Sequence, residues 1–342
     1  MDPILTIAVP IYNMEQWLDK NLATYQATEL LGRIEVLCLN NASQDGSKNI
    51  IERRVEMCPQ IFALVDRDSR GYGGSINMAL DRAKGRYFRI VDADDWVDTD
   101  ELIRQVKALE NCESDIVLTD YEVVNLQTGA MTPIRAGDKG AVYETVHRDF
   151  TVPTQTLPSI HATTYRTALL RESGFQMQDG IFFVDEEYVI LPYLSAKSLI
   201  YYPFDIYRYQ VADPNQSTSP KNRGKYQAHR GKILRRLIRE YQEARETQPE
   251  NPALDYCFER IKRGVGDHFT TLYMYVEPRR EGQRLAREWR QYLRENTPRL
   301  WNCVKNKAVV LAAFNRFCIT LKQYERIKEK LLPLIYRELR MK

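Results

Sequence analysis

Tyr87-Phe88-Arg89-Ile90-Val91-Asp92-Ala93-Asp94-Asp95-Trp96 passes from an apolar strand into a knot of carboxylates. The first half is aromatic and β-branched, as buried strands are. The second half sets three acids within four residues, which repel one another unless a cation or strong donors lie between them. Ligands of open α/β sheets bind beyond the carboxyl ends of the strands, so acids at this point suggest chemistry. Taken alone, Asp92-Ala93-Asp94 also reads as an acidic turn that caps the next helix.

Working outward, the first 125 residues alternate short apolar runs with helical patterns, the signature of βαβ units around a mostly parallel sheet. Ile4–Ile11, Ile34–Leu39, Ile61–Val65, Tyr87–Val91 and Asp115–Val124 read as strands. Glu15–Thr28, Gly46–Met57, Ser75–Ala83 and Thr99–Leu109 carry apolar residues at helical spacing, and Asp98 or Thr99 suits the cap of the last. Gly, Thr and Pro between Gln127 and Thr156 predict loops or a β-excursion. Tyr165–Glu172 and Asp185–Ala196 read as helices, and Leu199–Tyr209 as an extended aromatic run. From Lys221 onward the pattern is helical, with Ile233, Leu234, Leu237, Ile238 and Tyr241 on one face. A turn-rich stretch between Asp213 and Gly224 places the expected boundary between a domain over 1–220 and a basic helical domain over 221–342.

Composition excludes disordered and fibrous classes: 44% of the residues are hydrophobic and 28% charged. The six cysteines are scattered without a C-x-x-C pair, which predicts reduced thiols. No basic, apolar leader follows Met1, and no apolar run reaches the roughly 20 residues that span a bilayer. The expected location is cytoplasmic, with peripheral attachment at the inner face of the membrane as its variant. The net charge of +3 conceals a division: residues 1–219 hold 20 Lys and Arg against 32 Asp and Glu, and the remainder hold 29 against 14.

Four pieces of the first half, Val9-Pro10-Ile11-Tyr12-Asn13, Asn40 to Ser47, Gly71-Tyr72-Gly73-Gly74-Ser75-Ile76-Asn77 and Asp92 to Trp96, recur in an order and spacing that resembles the family 2 glycosyltransferases. Phe183-Val184-Asp185-Glu186-Glu187-Tyr188 extends the likeness, which fades past Ser219. The resemblance implies a GT-A fold, a Rossmann-like sheet flanked by helices, and an inverting, metal-assisted enzyme of cell-envelope polysaccharide synthesis. Its donor would be a nucleotide diphosphate sugar, with UDP as the expected nucleotide and Mn²⁺ or Mg²⁺ as the ion.

By the same resemblance, Pro10, Tyr12, Asn13 and Asn41 lie along the base and ribose, with Asn41 where the family often has an aspartate. Arg70, Gly71 and Asn77 belong to a glycine-rich helix start that lets backbone approach a phosphate or sugar. A tight turn without ligand is the alternative there, as an Asx turn is for Asp45. Asp92, Ala93 and Asp94 contact the donor, and Asp94 with Asp92 holds the metal. Asp185 is the expected base that takes the acceptor's hydroxyl proton. His161, Asp95, Glu187 and Gln216 are further candidates for acceptor or phosphate.

The expected acceptor is a glycan or a lipid-linked molecule. Lys232, Arg235, Arg236 and Arg239 on one helix, then Arg279, Arg280 and Arg284 to Arg294, make either a solvated face or a surface for anionic lipid headgroups. Val309–Phe317 and Leu331–Tyr336 add apolar or aromatic surface that suits core or a homo-oligomer contact equally, and no nucleic-acid module accompanies the charge. Two other classes stay open: a non-catalytic glycan- or nucleotide-binding module on the same fold, and a nucleotidyltransferase, which would release pyrophosphate.

Overall fold

Leu5–Ile11 forms β1, and its seven residues are all buried. A strand covered on both faces lies inside a parallel sheet, and each fully buried Leu, Ile or Val there contributes about 1.5–3 kcal/mol. The computed structural model describes residues 2–69, 71–137, 145–148, 150, 157–211 and 220–327. After β1 come α1 (Glu15–Ala23), β2 (Ile34–Asn41), α2 (Ser47–Met57), β3 (Phe62–Arg67), α3 (Tyr72–Arg82) and β4 (Tyr87–Ile90). β2 pairs parallel with β1, β3 with β2, and β4 with the free side of β1. The strand order thus reverses between β1 and β4, the position at which such sheets open a crevice. Pairing of β1 with β4 ends at Ala8 opposite Ile90. Pro10, which has no amide hydrogen to offer, lies just past that point.

The second half of the sheet is mixed. It contains β5 (Trp96–Val97), β6 (Ile116–Asn125), β7 (Met131–Ile134), β8 (Thr163–Arg166) and β9 (Leu199–Val211), with α4 (Thr99–Leu109), α5 (Thr167–Glu172) and α6 (Asp185–Tyr188) between them. The strand order is β3-β2-β1-β4-β8-β6-β9-β5, with β7 beside β6. β8 runs antiparallel to both β4 and β6, whereas β9 runs parallel to β6 and antiparallel to β5. Three expected helices are altered. Glu15–Thr28 ends at Ala23. The first two residues of Tyr165–Glu172 join the sheet, because Tyr165 and Arg166 continue a strand whose partners are Phe88 and Tyr87. Asp185–Ala196 breaks into the single turn of α6 and a 3₁₀ turn at Pro192–Leu194, since Pro192 has no amide with which to continue the helix. β7 is the β-excursion expected between Gln127 and Thr156.

Two compact units divide the chain: Met1–Pro214 with Arg236–Cys257, and Asn215–Arg235 with Phe258–Lys342. The C-terminal helices are α7 (Pro220–Lys225), α8 (Gln227–Thr247), α9 (Leu254–Met274), α10 (Arg279–Asn296) and α11 (Pro298–Arg316). Ile233, Leu234, Leu237, Ile238 and Tyr241 of α8 are all buried, as their spacing predicts. All six cysteines are free thiols. Among the described residues, no helix is long and apolar enough to cross a membrane.

Asp98 caps α4. Its Oδ1 accepts the Glu101 amide at 3.1 Å, and its Oδ2 meets the Arg208 guanidinium at 3.0 Å. Replacement of a capping acid by alanine costs about 1 kcal/mol, and a half-exposed ion pair adds up to about 1 more. Asp98→Ala is therefore expected to lower the unfolding free energy in urea by about 1–2 kcal/mol with an unchanged slope; an unchanged midpoint would contradict the cap's role.

Candidate active site

The loops that leave β1 and β2 are stitched together. The Asn13 amide donates to Ser43 Oγ at 3.2 Å, and the Gln44 amide returns a bond to Asn13 Oδ1 at 2.8 Å. Asp45 accepts from the Ser47 amide at 3.0 Å, which makes the Asx turn, and from the Glu15 amide at 3.0 Å. Asn13 and Ala42 both hold a left-handed backbone, with φ of 53° and 55°, and Phe183, two residues before Asp185, has a φ of 70°. Such conformations cost a non-glycine residue energy and persist where the surroundings enforce them, often at functional sites. Tyr12 is partly buried, while Pro10 and Asn41 are buried.

The first turns of α3 join this rim to the acids. Tyr72 donates its hydroxyl to Asp92 Oδ1 at 2.8 Å. One turn on, the Ser75 hydroxyl touches both the Gly71 carbonyl, at 2.7 Å, and Asn41 Oδ1. The glycines serve close packing. A Cβ on Gly73 would stand 2.1 Å from the Gln178 carbonyl oxygen, and one on Gly74 would stand 2.4 Å from the Asp179 carboxylate. Asp179 accepts the Gly74 amide at 3.0 Å and pairs with Arg67 at 2.9 Å, an acid at the positive end of α3. Against the cost of burial, Arg67 and the Gly74 and Gly180 amides hold that carboxyl below its usual range. Asn77 exchanges two bonds of 2.8 Å with the Met177 backbone. Gly73, Gly74 and Asn77 thus face the chain at 177–179. Arg70, Gln216 and residues 331–336 lie outside the described residues.

Past β4, the acids are held from three sides. The Asn21 side-chain amide donates to the carbonyls of Asp92 and Asp95, at 3.1 and 2.8 Å. Asp95 is buried; its Oδ2 accepts the Tyr207 hydroxyl at 2.6 Å and its Oδ1 the Gln210 amide at 2.7 Å, which ties the acidic turn to β9. Burial and then the Asp94 charge push the Asp92 carboxyl up to about 7, and Asp185 adds to the effect. Burial, followed by the charges of Asp95, Asp92, Asp94 and Asp185, likewise raises the Tyr209 phenol. Four acids therefore act on one tyrosine. Asp185 itself is exposed in the first turn of α6, and the buried Ala93 sits between the two outer acids.

His161 stacks on Tyr209, ring centroids 4.1 Å apart, and contacts Tyr207 at 4.7 Å. Burial, and then the charge of Arg89, press its pKa down to about 3, so the imidazole is neutral at pH 7. Arg89 is fully buried on β4, where it donates to Thr119 and Thr164 and to the His161 carbonyl. Ligand atoms of Asp92, Asp95 and His161 lie within 4.8 Å of one another. Glu187 points the other way. It has no exposed surface and pairs with Arg236 of α8 at 2.7 Å.

The reading from sequence missed Tyr72, Tyr207, Tyr209, Arg89 and Arg236 as members of this neighbourhood. An arginine inside an otherwise apolar strand was a usable signal for Arg89, because a buried guanidinium requires partners. Nothing local marks the tyrosines of β9 in an aromatic run.

A pKa near 7 in the folded chain against about 3.9 in the unfolded one means that Asp92 loses stability for the metal-free protein as pH rises from 4 to 7. Asp92→Asn removes that penalty. In urea unfolding with chelator present, the variant is expected to exceed the parent at pH 8 by on the order of 1–4 kcal/mol, with the gap closing toward pH 4. A variant less stable than the parent at pH 8 would contradict the electrostatic picture.

Residues 6–176, half of the chain, match the family described as glycosyl transferase family 2. Glycosyltransferase GlyA of Streptococcus pneumoniae is 24% identical over 223 residues, which cover 62% of this chain and 31% of that protein. The poly(ribitol-phosphate) beta-N-acetylglucosaminyltransferase TarS of Staphylococcus aureus is 23% identical over 196 residues, 57% of this chain and 33% of that protein. The chain thus spans about a third of these curated relatives. The crystal structure of S. aureus TarS 1-349 superposes with a TM-score of 0.63 at 18% identity, covering 96% of this chain and 91% of the other. The same fragment in complex with UDP gives a TM-score of 0.63 at 17% identity, again covering 96% and 91%. At such identity the structural likeness speaks for the fold. With the acids gathered beyond β4 at the switch point of a GT-A sheet, and the family's segments matched from Thr6 to Gln176, the chain belongs to glycosyl transferase family 2.

Proposed function

We propose that the protein transfers a sugar from a nucleotide diphosphate sugar, with UDP as the nucleotide, to a hydroxyl of a glycan or lipid-linked acceptor of the cell envelope. The reaction is a metal-assisted displacement that inverts the anomeric carbon. The observation that carries this reading is the gathering of acids beyond β4, where ligand atoms of Asp92, Asp95 and His161 lie within 4.8 Å of one another and the charges of Asp94 and Asp185 both act on Asp92. Asp95 accepts from Tyr207 and the Gln210 amide; the proposal places Asp92 and Asp94 on the donor side and Asp185 on the acceptor side.

The donor set fits a divalent cation. The Asp92 carboxyl is raised to about 7 by burial and neighbouring acids, a cost that a bound cation offsets. Asp92 and Asp94 would hold the ion, and the neutral His161 imidazole, whose ligand atom lies within 4.8 Å of those of Asp92 and Asp95, is at hand. Mn²⁺ accepts carboxylate and imidazole together, and Mg²⁺ favours oxygen alone. When bound, the cation neutralises charge on the departing diphosphate. Tyr72 and the Asn21 amide keep Asp92 in register. Asp185 takes the proton from the acceptor hydroxyl as the new bond to the anomeric carbon forms and the bond to the diphosphate oxygen breaks.

For the base, Asn41 supplies what the family's aspartate supplies. The Ser75 hydroxyl has one proton and two acceptors near it, the Gly71 carbonyl and the Asn41 amide. The Asn41 carboxamide can both donate and accept, which suits the edge of a pyrimidine base. The S. aureus TarS 1-349 structure in complex with UDP, which shares this fold, favours the same nucleotide. Peripheral binding to an anionic membrane belongs to the proposal as well. Arg280, Arg284, Arg287, Arg290 and Arg294 are exposed on α10, Val309 and Val310 are 64% and 50% exposed on α11, and Phe317, just past its end, is 75% exposed.

Asp94→Asn and Asp185→Asn are each expected to lower kcat for release of UDP from the transferred UDP-sugar by at least about 100-fold, with melting temperature preserved. Full turnover in either variant removes the role assigned to that acid. Sedimentation with phosphatidylglycerol vesicles at low salt is expected to pellet the protein, phosphatidylcholine vesicles to leave it in solution, and salt to reverse the binding. Protein left in the supernatant with phosphatidylglycerol contradicts the membrane proposal.

A further inference from the structure

α6, Asp185–Tyr188, is a single helical turn without a side-chain cap. One turn does not sustain itself in water, because nucleation is the costly step of helix formation. The direction of Asp185 therefore depends on what grips the turn from outside. Tyr188 gives one grip: it is fully buried, its carbonyl accepts the Tyr165 hydroxyl at 2.7 Å, and its own hydroxyl reaches the Phe88 carbonyl at 3.3 Å.

Glu187 gives the other. Its Oε2 accepts the Gln178 backbone amide at 2.7 Å, and its Oε1 accepts the Gln178 carboxamide at 2.8 Å and Arg236 Nη1 at 2.7 Å. Arg236 Nη1 also donates to the Gln176 carbonyl at 2.9 Å, so the pair holds both ends of the 176–178 segment, Arg236 at Gln176 and Glu187 at Gln178. That segment leans on the bare face of Gly73 and is locked to Asn77 through Met177. Beside Gly73, Tyr72 holds Asp92. A continuous chain of directed bonds thus runs from Arg236 through Glu187 and the 176–178 segment to α3 and Asp92.

We infer that Glu187 and Arg236 are positioning residues for Asp185, fixing α6 in register with α3 so that the carboxylate of Asp185 is held opposite the Asp92 side of the site. This rests on Asp185 being the base. The alternative is a pair that serves stability alone, and the two are separable. Removing one partner strands a buried charge, whereas replacing both with apolar side chains of similar size often preserves stability. The apolar pair keeps the volume and loses the directed bonds.

The test uses the full chain with Glu187→Met and Arg236→Met combined. The probes are UDP for binding, and UDP-glucose, UDP-galactose and UDP-N-acetylglucosamine for turnover. Melting is expected within a few degrees of the parent and UDP affinity within about twofold. Amide exchange over 185–191 should quicken, and kcat should fall at least about tenfold with KM for the donor unchanged, since a misplacement of about 1 Å can cost 100-fold. Arg236→Lys, which keeps the charge and one bond, should restore an intermediate kcat. Parent-level kcat in a double variant that melts with the parent overturns the inference. Should the double variant fail to fold, Glu187→Gln decides: a severalfold drop in kcat at constant KM supports positioning, and an unchanged kcat overturns it. Asp185→Asn is run in parallel. If it is active, the base assignment fails and the positioning role with it; if it is inactive beside a fully active double variant, the positioning role alone fails.

Discussion

Mutual repulsion among the acids beyond β4 is the constraint that organises the surrounding structure. Asp92, Asp94 and Asp95 follow one another at the end of a strand, with Asp185 close enough to raise the Asp92 carboxyl. Like charges so placed separate unless neighbours hold them. Here the backbone is held by the Asn21 amide, Asp95 by two donors of β9, and Asp92 by Tyr72. Arg89 lies buried among the threonines of β6 and β8 and reaches the His161 carbonyl. The cluster is built to keep its charge in place, and that is a useful property where a diphosphate and its cation must be gripped.

The first turns of α3 distribute this constraint. Within six residues they reach Asp92 through Tyr72, the 178–179 backbone and carboxylate through Gly73 and Gly74, Asn41 through Ser75, and Met177 through Asn77. Small residues are needed because a protein segment, not solvent, lies against them. The loops after β1 and β2, the acidic turn and the approach to α6 therefore share one element, which suits the preorganisation that the proposed reaction needs.

Much of this was legible before any coordinates. The βα alternation up to α4 was readable because parallel strands buried on both faces are continuous apolar runs, and the helices between them carry their own period and caps. Position marked Asp98 or Thr99 as the cap of α4, and Asp98 is the one that accepts the Glu101 amide. The later elements were harder. Thr163–Arg166 is a strand because β4 and β6 flank it, although Tyr165–Glu172 alone carries a helical pattern. The run from Asp185 was overextended because Pro192 was given too little weight.

The basic face of α8 shows the limit of composition. Arg235, which looked like one of several solvated cations, lies over the rings of Trp289 and Tyr292. Arg236, next to it, enters a pair with Glu187, 49 residues earlier. No local pattern carries that information, because the pairing depends on tertiary contact. The central claim, that Asp92 and Asp94 form a cation-assisted diphosphate site, is tested most directly by measuring UDP affinity with Mn²⁺ and with chelator. The account predicts binding that strengthens at least about tenfold with Mn²⁺ in the parent and gains nothing from it in Asp94→Asn; equal affinity with chelator and with Mn²⁺ would contradict it.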